Sequence, residues 1–531
     1  MLKKATLLLL TLSLTLAPIS GYSEDKSYGG ELVVGDNNRP TLINPLLVNT
    51  GIAASVDSLV FSCLVRMSPK GKLEPELAES WEVSKDQRAY TFYLRHGVKF
   101  HDGVELTSAD VLFTFQKIKD PASNCPYRLT VSNVEFFAAP DAYTFYVVLK
   151  KPQQSLLHDL YHEILPKHLY ENGSLRENQF NRKPVGTGPF KFKEWTSDRI
   201  VLEANENFFE GRPHLDQIVF KSYENIEEVW SALMRGEIDL MKFISVNDYE
   251  LTQKDPAFKT YAFSLSDYYV ISYNLDDPLL SDIRFRQAIN HAVDRKQLIE
   301  RAERGYGVES TGPFHPNSPA YNPSVQPCTY DPAQALKILE TLGLKDKPVE
   351  LRMLVDARQG KMRKIALILR QQLQEVGVRL RLELCYDDAE MKKHLSSKDF
   401  QARLVMFSGH ENYPDETIKR WHSRYEGRGE FWGTQFADPE IDRLIEEGRV
   451  SQNWQASKKI YRQLHETLYQ KQPACFLYFP YAFHAVSNRL SGTDKFFSLA
   501  YVMDFYLKDF YVTQSLKKGG EAHGGDSSRH G

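Results

Sequence analysis

The chain has 531 residues, 42% of them hydrophobic and 25% charged. That is an ordinary globular balance, and the length exceeds one compact core, so roughly two to four domains are expected. Sixty-six Lys plus Arg against 69 Asp plus Glu give a net charge of −3; with a pI of 6.6 and a mean hydropathy of −0.44, this excludes a nucleic-acid footprint and a polytopic membrane protein.

Lys3 and Lys4 precede an apolar run over 5–16, and Pro18, Gly21 and Ser23 follow before Glu24 and Asp25. This is the layout of a cleavable signal peptide over 1–23, with an apolar run too short to span a bilayer. Cleavage near Ser23 would remove two Lys and no acid, leaving 508 residues at a net charge of −5. No Cys stands near that point, so the expected product is a soluble periplasmic protein without a lipid anchor. Cys63, Cys125, Cys328, Cys385 and Cys475 are far apart and odd in number. At most two disulfides can form, and no CxxC or Cys/His metal spacing occurs.

A strand is predicted at 31–34, followed by a turn at 68–71 and a short buried segment at 77–81. Residues 89–94 alternate in the period-2 manner of a strand. Residues 107–110 (TSAD) open a helix with Val111, Leu112, Phe115 and Ile118 on one side. A strand follows at 143–149. The loop 184–189 (PVGTGP) leads into alternating Phe190, Phe192 and Trp195. A helix is predicted over 226–235 with a stop at Gly236, then a strand at 268–274 and one long helix over 282–303. Residues 310–332 hold six Pro and read as irregular. The strand 349–355, helix 362–376 and strand 378–384 predict a locally parallel sheet with a right-handed crossover. Helices follow at 438–447 and 456–470, and a polar Gly-rich tail, 519–531, is expected to be disordered. The whole reads as a multi-domain α/β or α+β chain.

A catalytic kit is missing from the sequence: there is no GxSxG, Walker A or HExxH pattern. His158 and His162 stand four residues apart and would share a helix face, where they could ligate a metal, or they could simply be surface or rim histidines. His410, Glu411, Asp415 and Glu416 cluster around Tyr413 and Pro414; such carboxylates could serve acid/base chemistry or lie in a solvated loop. Tyr268, Tyr269 and Trp432 are candidates for rim or cleft contacts, with core packing as the alternative.

From about 30 to 510 several blocks occur in one characteristic order. They begin with LVRMSPKGKLEPELAESWEVSKDQRAYTFYLRHGVKFHDGVELTSADVLFTF. PVGTGPFKFKEWTSDRIVLEANENFFEGRPHLDQIVFKSYENIEEVWSALMRGEIDLM follows, then YYVISYNLDDPLLSDIRFRQAINHAVDRKQLIE, GPFHPNSPAYNP and FADPEIDRLIEEGR. On these blocks the chain resembles the family 5 extracellular solute-binding proteins, the peptide- and nickel-binding components of ABC importers. The resemblance implies a bilobed, periplasmic-binding-protein-like fold of three domains and two hinge strands. Domain I would comprise 24–67, 186–274 and 489–518, domain II 68–185, and domain III 275–488. It implies a non-catalytic monomer without a cofactor or resident metal. Lobe closure would capture a di- or oligopeptide for a cognate permease in the inner membrane. An opine, sugar, heme or metal chelate is the alternative ligand, and an exported hydrolase using Glu411 or Asp415 is the rival class.

The resemblance assigns bland work to several blocks. Phe100 to Gly103 would be a turn, Thr107 to Asp110 a helix cap, and Gly186 to Pro189 a chain return using glycine's unusual backbone angles. Peptide-binding members carry a WGADYPDPD-like segment whose Asp holds the ligand's α-ammonium. The matching run here is FSGHENYPDET, with Pro414-Asp415 on the shared Pro-Asp and His410 where that Asp is expected. Glu411, one residue on, could take over the ammonium. A His at this position could instead meet an anionic or polar ligand. The expected ligand set is therefore His410, Glu411, Tyr413, Asp415, Tyr268, Tyr269 and Trp432.

Overall fold

The computed structural model describes residues 28–513, apart from 48–49, 70, 154, 346, 411–413, 425–435, 452–453 and 498–503. The expected signal peptide and the Gly-rich tail lie outside the described residues. Among those described, no helix is long and apolar enough to cross a membrane.

Local patterning produced most elements where the residues predict them. Ala89–Leu94 is a strand whose Tyr90, Phe92 and Leu94 are buried. Ser108–Lys119 is a helix opened by a capping box between Thr107 and Asp110. Val349–Asp356 and Val378–Cys385 pair in parallel across helix Gly360–Glu375. The predicted single helix over 282–303 is two helices, Ile283–Ala292 and Arg295–Glu303. Val293 leaves the helical conformation, and the Asp294 side chain accepts from the Gln297 amide to start the second helix.

A mixed, twelve-stranded sheet runs through the molecule. Its order is Val378–Cys385, Val349–Asp356, Ala402–Phe407, Tyr268–Tyr273, Ala474–Ser487, Leu240–Met241, Glu31–Asp36, Gln217–Ser222, Arg199–Ala204 and Phe190–Trp195. Phe258–Ser264 and Gly307–Glu309 also pair with Ala474–Ser487. That fourteen-residue strand is the axis of the molecule. Its first half pairs with Tyr268–Tyr273, and its second half pairs with Phe258–Ser264. Residues 258–273 therefore run antiparallel beside 474–487 as one ribbon, interrupted at 265–267.

The interruption is the crossing between two lobes. There a single ladder bond, from the Leu265 amide to the Pro480 carbonyl, bridges the two segments. Beyond it the register shifts between Tyr269 and Val270. Few backbone bonds and a bulge make this the place where the ribbon can bend. Strand Tyr268–Tyr273, which the expected border at 274 gives to domain I, pairs wholly with second-lobe strands and with the first half of the axis strand. Residues 481–487, within the expected domain III, pair with the first-lobe strand Phe258–Ser264.

The larger core of the first lobe merges the sheet residues Leu32, Val34 and Phe220 with Phe92, Phe115 and Phe145, and a second core on the other sheet face holds Val33, Val219, Val229 and Leu233. Phe92 and Phe145 belong to a separate four-stranded sheet of Ala78–Val83, Ala89–Leu94, Thr144–Leu149 and Val134–Asp141, and Phe115 to helix Ser108–Lys119 against it. The return at Gly186 and Gly188 seals this lobe, though not by unusual backbone angles, since neither residue has a positive φ. A Cβ at Gly186 would overlap the Val60 carbonyl, and one at Gly188 the Leu59 carbonyl. The glycines are there for close approach, and the Gly188 amide donates to Val60 O at 2.8 Å.

The second lobe is layered on both sheet faces. Along Tyr268–Tyr273, Tyr269, Ile271 and Tyr273 face one core with helices 283–303 and 360–375, while Tyr268 and Val270 face another with Trp421 and helices Pro439–Arg449 and Trp454–Lys471. A strand covered on both sides is apolar without alternation, which is why YYVISY reads as it does.

Candidate functional site

Strand Ala402–Phe407 ends at the crossing, and the next residues form a tethered loop. The Gly409 amide donates to Asp267 Oδ1 at 3.0 Å, tying the loop to the interrupted part of the ribbon. A Cβ on Gly409 would overlap the Ser266 carbonyl oxygen, so the loop and the crossing are in direct backbone contact. The His410 amide donates to Thr417 Oγ1 at 2.8 Å, and that hydroxyl donates back to the His410 carbonyl at 3.3 Å. Arg420 donates to Ser408 O at 2.8 Å, and its guanidinium lies 4.8 Å from the Phe407 ring centre. Buried Arg420 and Thr417 thus fix the backbone from 408 to 410.

His410 faces the other lobe. His158 of the first lobe is held down to about 3, first by burial and then by the His410 imidazole beside it. His158 therefore stays neutral at pH 7, with His410 of the other lobe near enough for its charge to be felt. The expected i, i+4 face of His158 and His162 does not form: the helix there is Leu156–Asp159, and His162 lies beyond it. His162 is neither surface nor rim. It is buried against Tyr127 and Phe115, and burial lowers it to about 4.

Next to His158 the crevice opens into a cavity of about 1030 Å³ with walls from both lobes. The first lobe contributes Tyr127, Thr130, Asn133, Lys151, Gln153 and Asp159, and the second Lys419, His422, Arg424, Arg443, Glu446, Glu447 and Arg449. Among the described residues, five Lys or Arg face three Asp or Glu. Arg443 is taken up by Glu447 at 2.9 Å, and His422 lies 3.3 Å from Glu446. The remaining lining is cationic on balance, with the polar amides and hydroxyls that a hydrated solute can bond.

The expected ligand set divides. Glu411, Tyr413 and Trp432 lie outside the described residues. His410 is at the crevice. Asp415 is buried at the start of helix Pro414–Ile418 and accepts from the Tyr461 hydroxyl, so that bond points it inward. Tyr268 and Tyr269 are interior side chains rather than rim residues. Tyr268 packs on Phe407, Phe476 and Phe479, and Tyr269 on Tyr478. Sequence reasoning missed Asp267, Thr417 and Arg420 as loop anchors and Lys419, Arg424 and Arg449 as cavity cations. The basic run KRWHSR at 419–424 was the one local sign of the latter.

A bilobed body with a two-strand crossing and a solute-sized crevice can now be set beside known proteins. The family model of bacterial extracellular solute-binding proteins, family 5, matches residues 72–428. The chain belongs to this family. Its members are transport components without catalytic chemistry, so the chain is the substrate-binding protein of an ABC importer and the hydrolase alternative falls. The oligopeptide-binding protein AppA of Bacillus subtilis is 29% identical over 87% of this chain and 89% of its own. Heme-binding protein A of Haemophilus influenzae is 27% identical over 85% and 88%. The structure of NikZ from Campylobacter jejuni in complex with Ni(L-His) superposes with a TM-score of 0.79, at 25% identity over 91% of this chain and 99% of that one. Similar bodies thus carry chemically different cargoes.

Proposed function

We propose that this periplasmic protein captures a di- or oligopeptide in the crevice and delivers it to its membrane permease. The observation that carries this reading is the cavity of about 1030 Å³ shared by both lobes. A solute touching both walls lowers the free energy of the closed arrangement alone, which is all that closure requires. The name of the B. subtilis relative favours a peptide. In this reading Glu411, next to His410, receives the ligand's α-ammonium and supplies the charge. Lys419, Arg424 and Arg449 favour carboxylates at the other end. Tyr413 and Trp432 are proposed as further contacts, and the protein acts as a monomer.

A second reading has a specific observation behind it. His410 stands where the family's ammonium anchor is expected and is close enough to His158 of the other lobe for its charge to be felt, and imidazoles suit a metal chelate, heme or another acid-bearing solute. Mass spectrometry of solutes released from the purified protein, then calorimetry with a mixed dipeptide-to-pentapeptide library, separates the two. Peptides in the released pool and binding heat support the first reading; neither would refute it. Glu411→Gln is expected to weaken peptide binding by about 1.5–3 kcal/mol, the scale of a charge-assisted hydrogen bond. Unchanged affinity would remove Glu411 as the anchor.

A further inference from the structure

At the edge of the second lobe, strand Val378–Cys385 is the outermost strand of the sheet. Cys385 is its last residue. The chain then turns through Tyr386 and Asp387 into helix Asp388–Ser397, where Asp387 caps the helix by accepting from the Glu390 amide at 2.7 Å. Glu390 and His394 stand four apart on that helix and so share a face. Cys385 Sγ, a Glu390 carboxylate oxygen and a His394 ring nitrogen all lie within 4.8 Å of one another.

We propose that Cys385, Glu390 and His394 form a binding site for a divalent transition metal, zinc in particular, that pins this helix to the sheet edge. The donor set is one thiolate, one carboxylate and one imidazole, which suits zinc and its neighbours rather than calcium or magnesium. Bond lengths to a tetrahedral zinc put such donors about 3.5 Å apart. A contraction of about 1 Å therefore closes the site, within reach of exposed Glu390 and half-buried His394.

The surroundings fit. His394 Nδ1 lies 3.2 Å from the Asp399 carbonyl oxygen and 3.9 Å from its carboxylate. Donation there orients the ring and leaves the Nε2 lone pair for a metal, the usual support for a metal-binding imidazole. One Glu390 oxygen accepts from the Tyr386 amide at 2.9 Å, fixing the carboxylate and leaving its other oxygen available. Beneath the helix, among the described residues, Leu354, Cys385, Met391, Leu395 and Phe400 form a small separate core, to which a metal would add a second fastening. Cys385 lies beside Asp356, two strands from Ala402–Phe407, and none of the three residues lines the cavity, so the test needs no solute.

The test is titration of the chelator-treated full-length protein with cobalt(II). One equivalent is expected to give a thiolate-to-cobalt charge-transfer band that zinc bleaches, and Cys385→Ser and His394→Ala are each expected to abolish it. Circular dichroism of both variants checks that the lobe is folded. His410→Ala is expected to leave the band intact. A cobalt complex without a thiolate band, a band that survives Cys385→Ser in the folded protein, or one lost in His410→Ala would overturn the site.

Discussion

Tyr461→Phe tests whether Asp415 is a structural residue or a solute contact. Tyr461 comes from helix Trp454–Lys471 and lies over Gly448, where a Cβ would overlap its ring. Its hydroxyl donates to Asp415, and the two residues are 2% and 5% exposed. Burial and the Asp415 charge together hold the Tyr461 phenol well above its usual range, so it remains the donor. The substitution keeps the ring and opens no large cavity; what it removes is a donor to a buried carboxylate that water cannot easily replace. Hydrogen bonds to charged groups contribute about 1.5–3 kcal/mol, and the loss of stability should fall in that range. Urea unfolding read by tryptophan fluorescence is the assay, because Trp421 belongs to the same core. Asp415→Asn completes a cycle, and coupling of the two changes is expected, since they act on one bond. An unchanged urea midpoint in Tyr461→Phe, together with a tenfold loss of solute affinity in Asp415→Asn, would refute the reasoning and return Asp415 to the ligand.

Two further outcomes follow from the same geometry. Gly409→Ala should cost about 1–3 kcal/mol through overpacking and also weaken solute binding, because its methyl overlaps the Ser266 carbonyl and must displace the His410 loop; wild-type stability and affinity would show that the loop and the crossing are not in register. Acid should destabilise the protein between about pH 6.5 and 4. Burial lowers His101, His162, His315 and His465 to about 4 and His158 and His484 to about 3, so the unfolded chain takes up protons first as the pH falls. Each such group costs about 2 kcal/mol at pH 5. Glu76, raised to about 8, and Glu163, raised to about 7, work in the opposite sense: their contribution is present in acid and lost as the pH rises through those values. With the histidines in the majority, the melting temperature should fall from pH 7 to pH 5, and a flat or rising value would contradict this balance.

The residues alone determined the local elements and much of the architecture. Period-2 alternation placed Ala89–Leu94, the Thr107–Asp110 cap placed its helix, and Val349 to Cys385 read as a parallel βαβ unit. Family-like blocks supplied the two lobes. These are properties of neighbouring residues, set by side-chain period, capping and turn chemistry, and they survive without knowledge of the rest of the chain. Tertiary structure decided the contacts between distant residues. It put the crossing at 265–267 beside Pro480, it brought His410 to His158, and it turned Tyr268, Tyr269 and Asp415 inward. It also gave Gly186, Gly188 and Gly409 a role in close packing rather than in unusual backbone angles. None of these has a local signature, because each depends on which surface another segment offers after the lobes have packed. Length and charge bounded a multi-domain, nearly neutral chain; the cationic balance of its crevice is a matter of placement, which composition averages away.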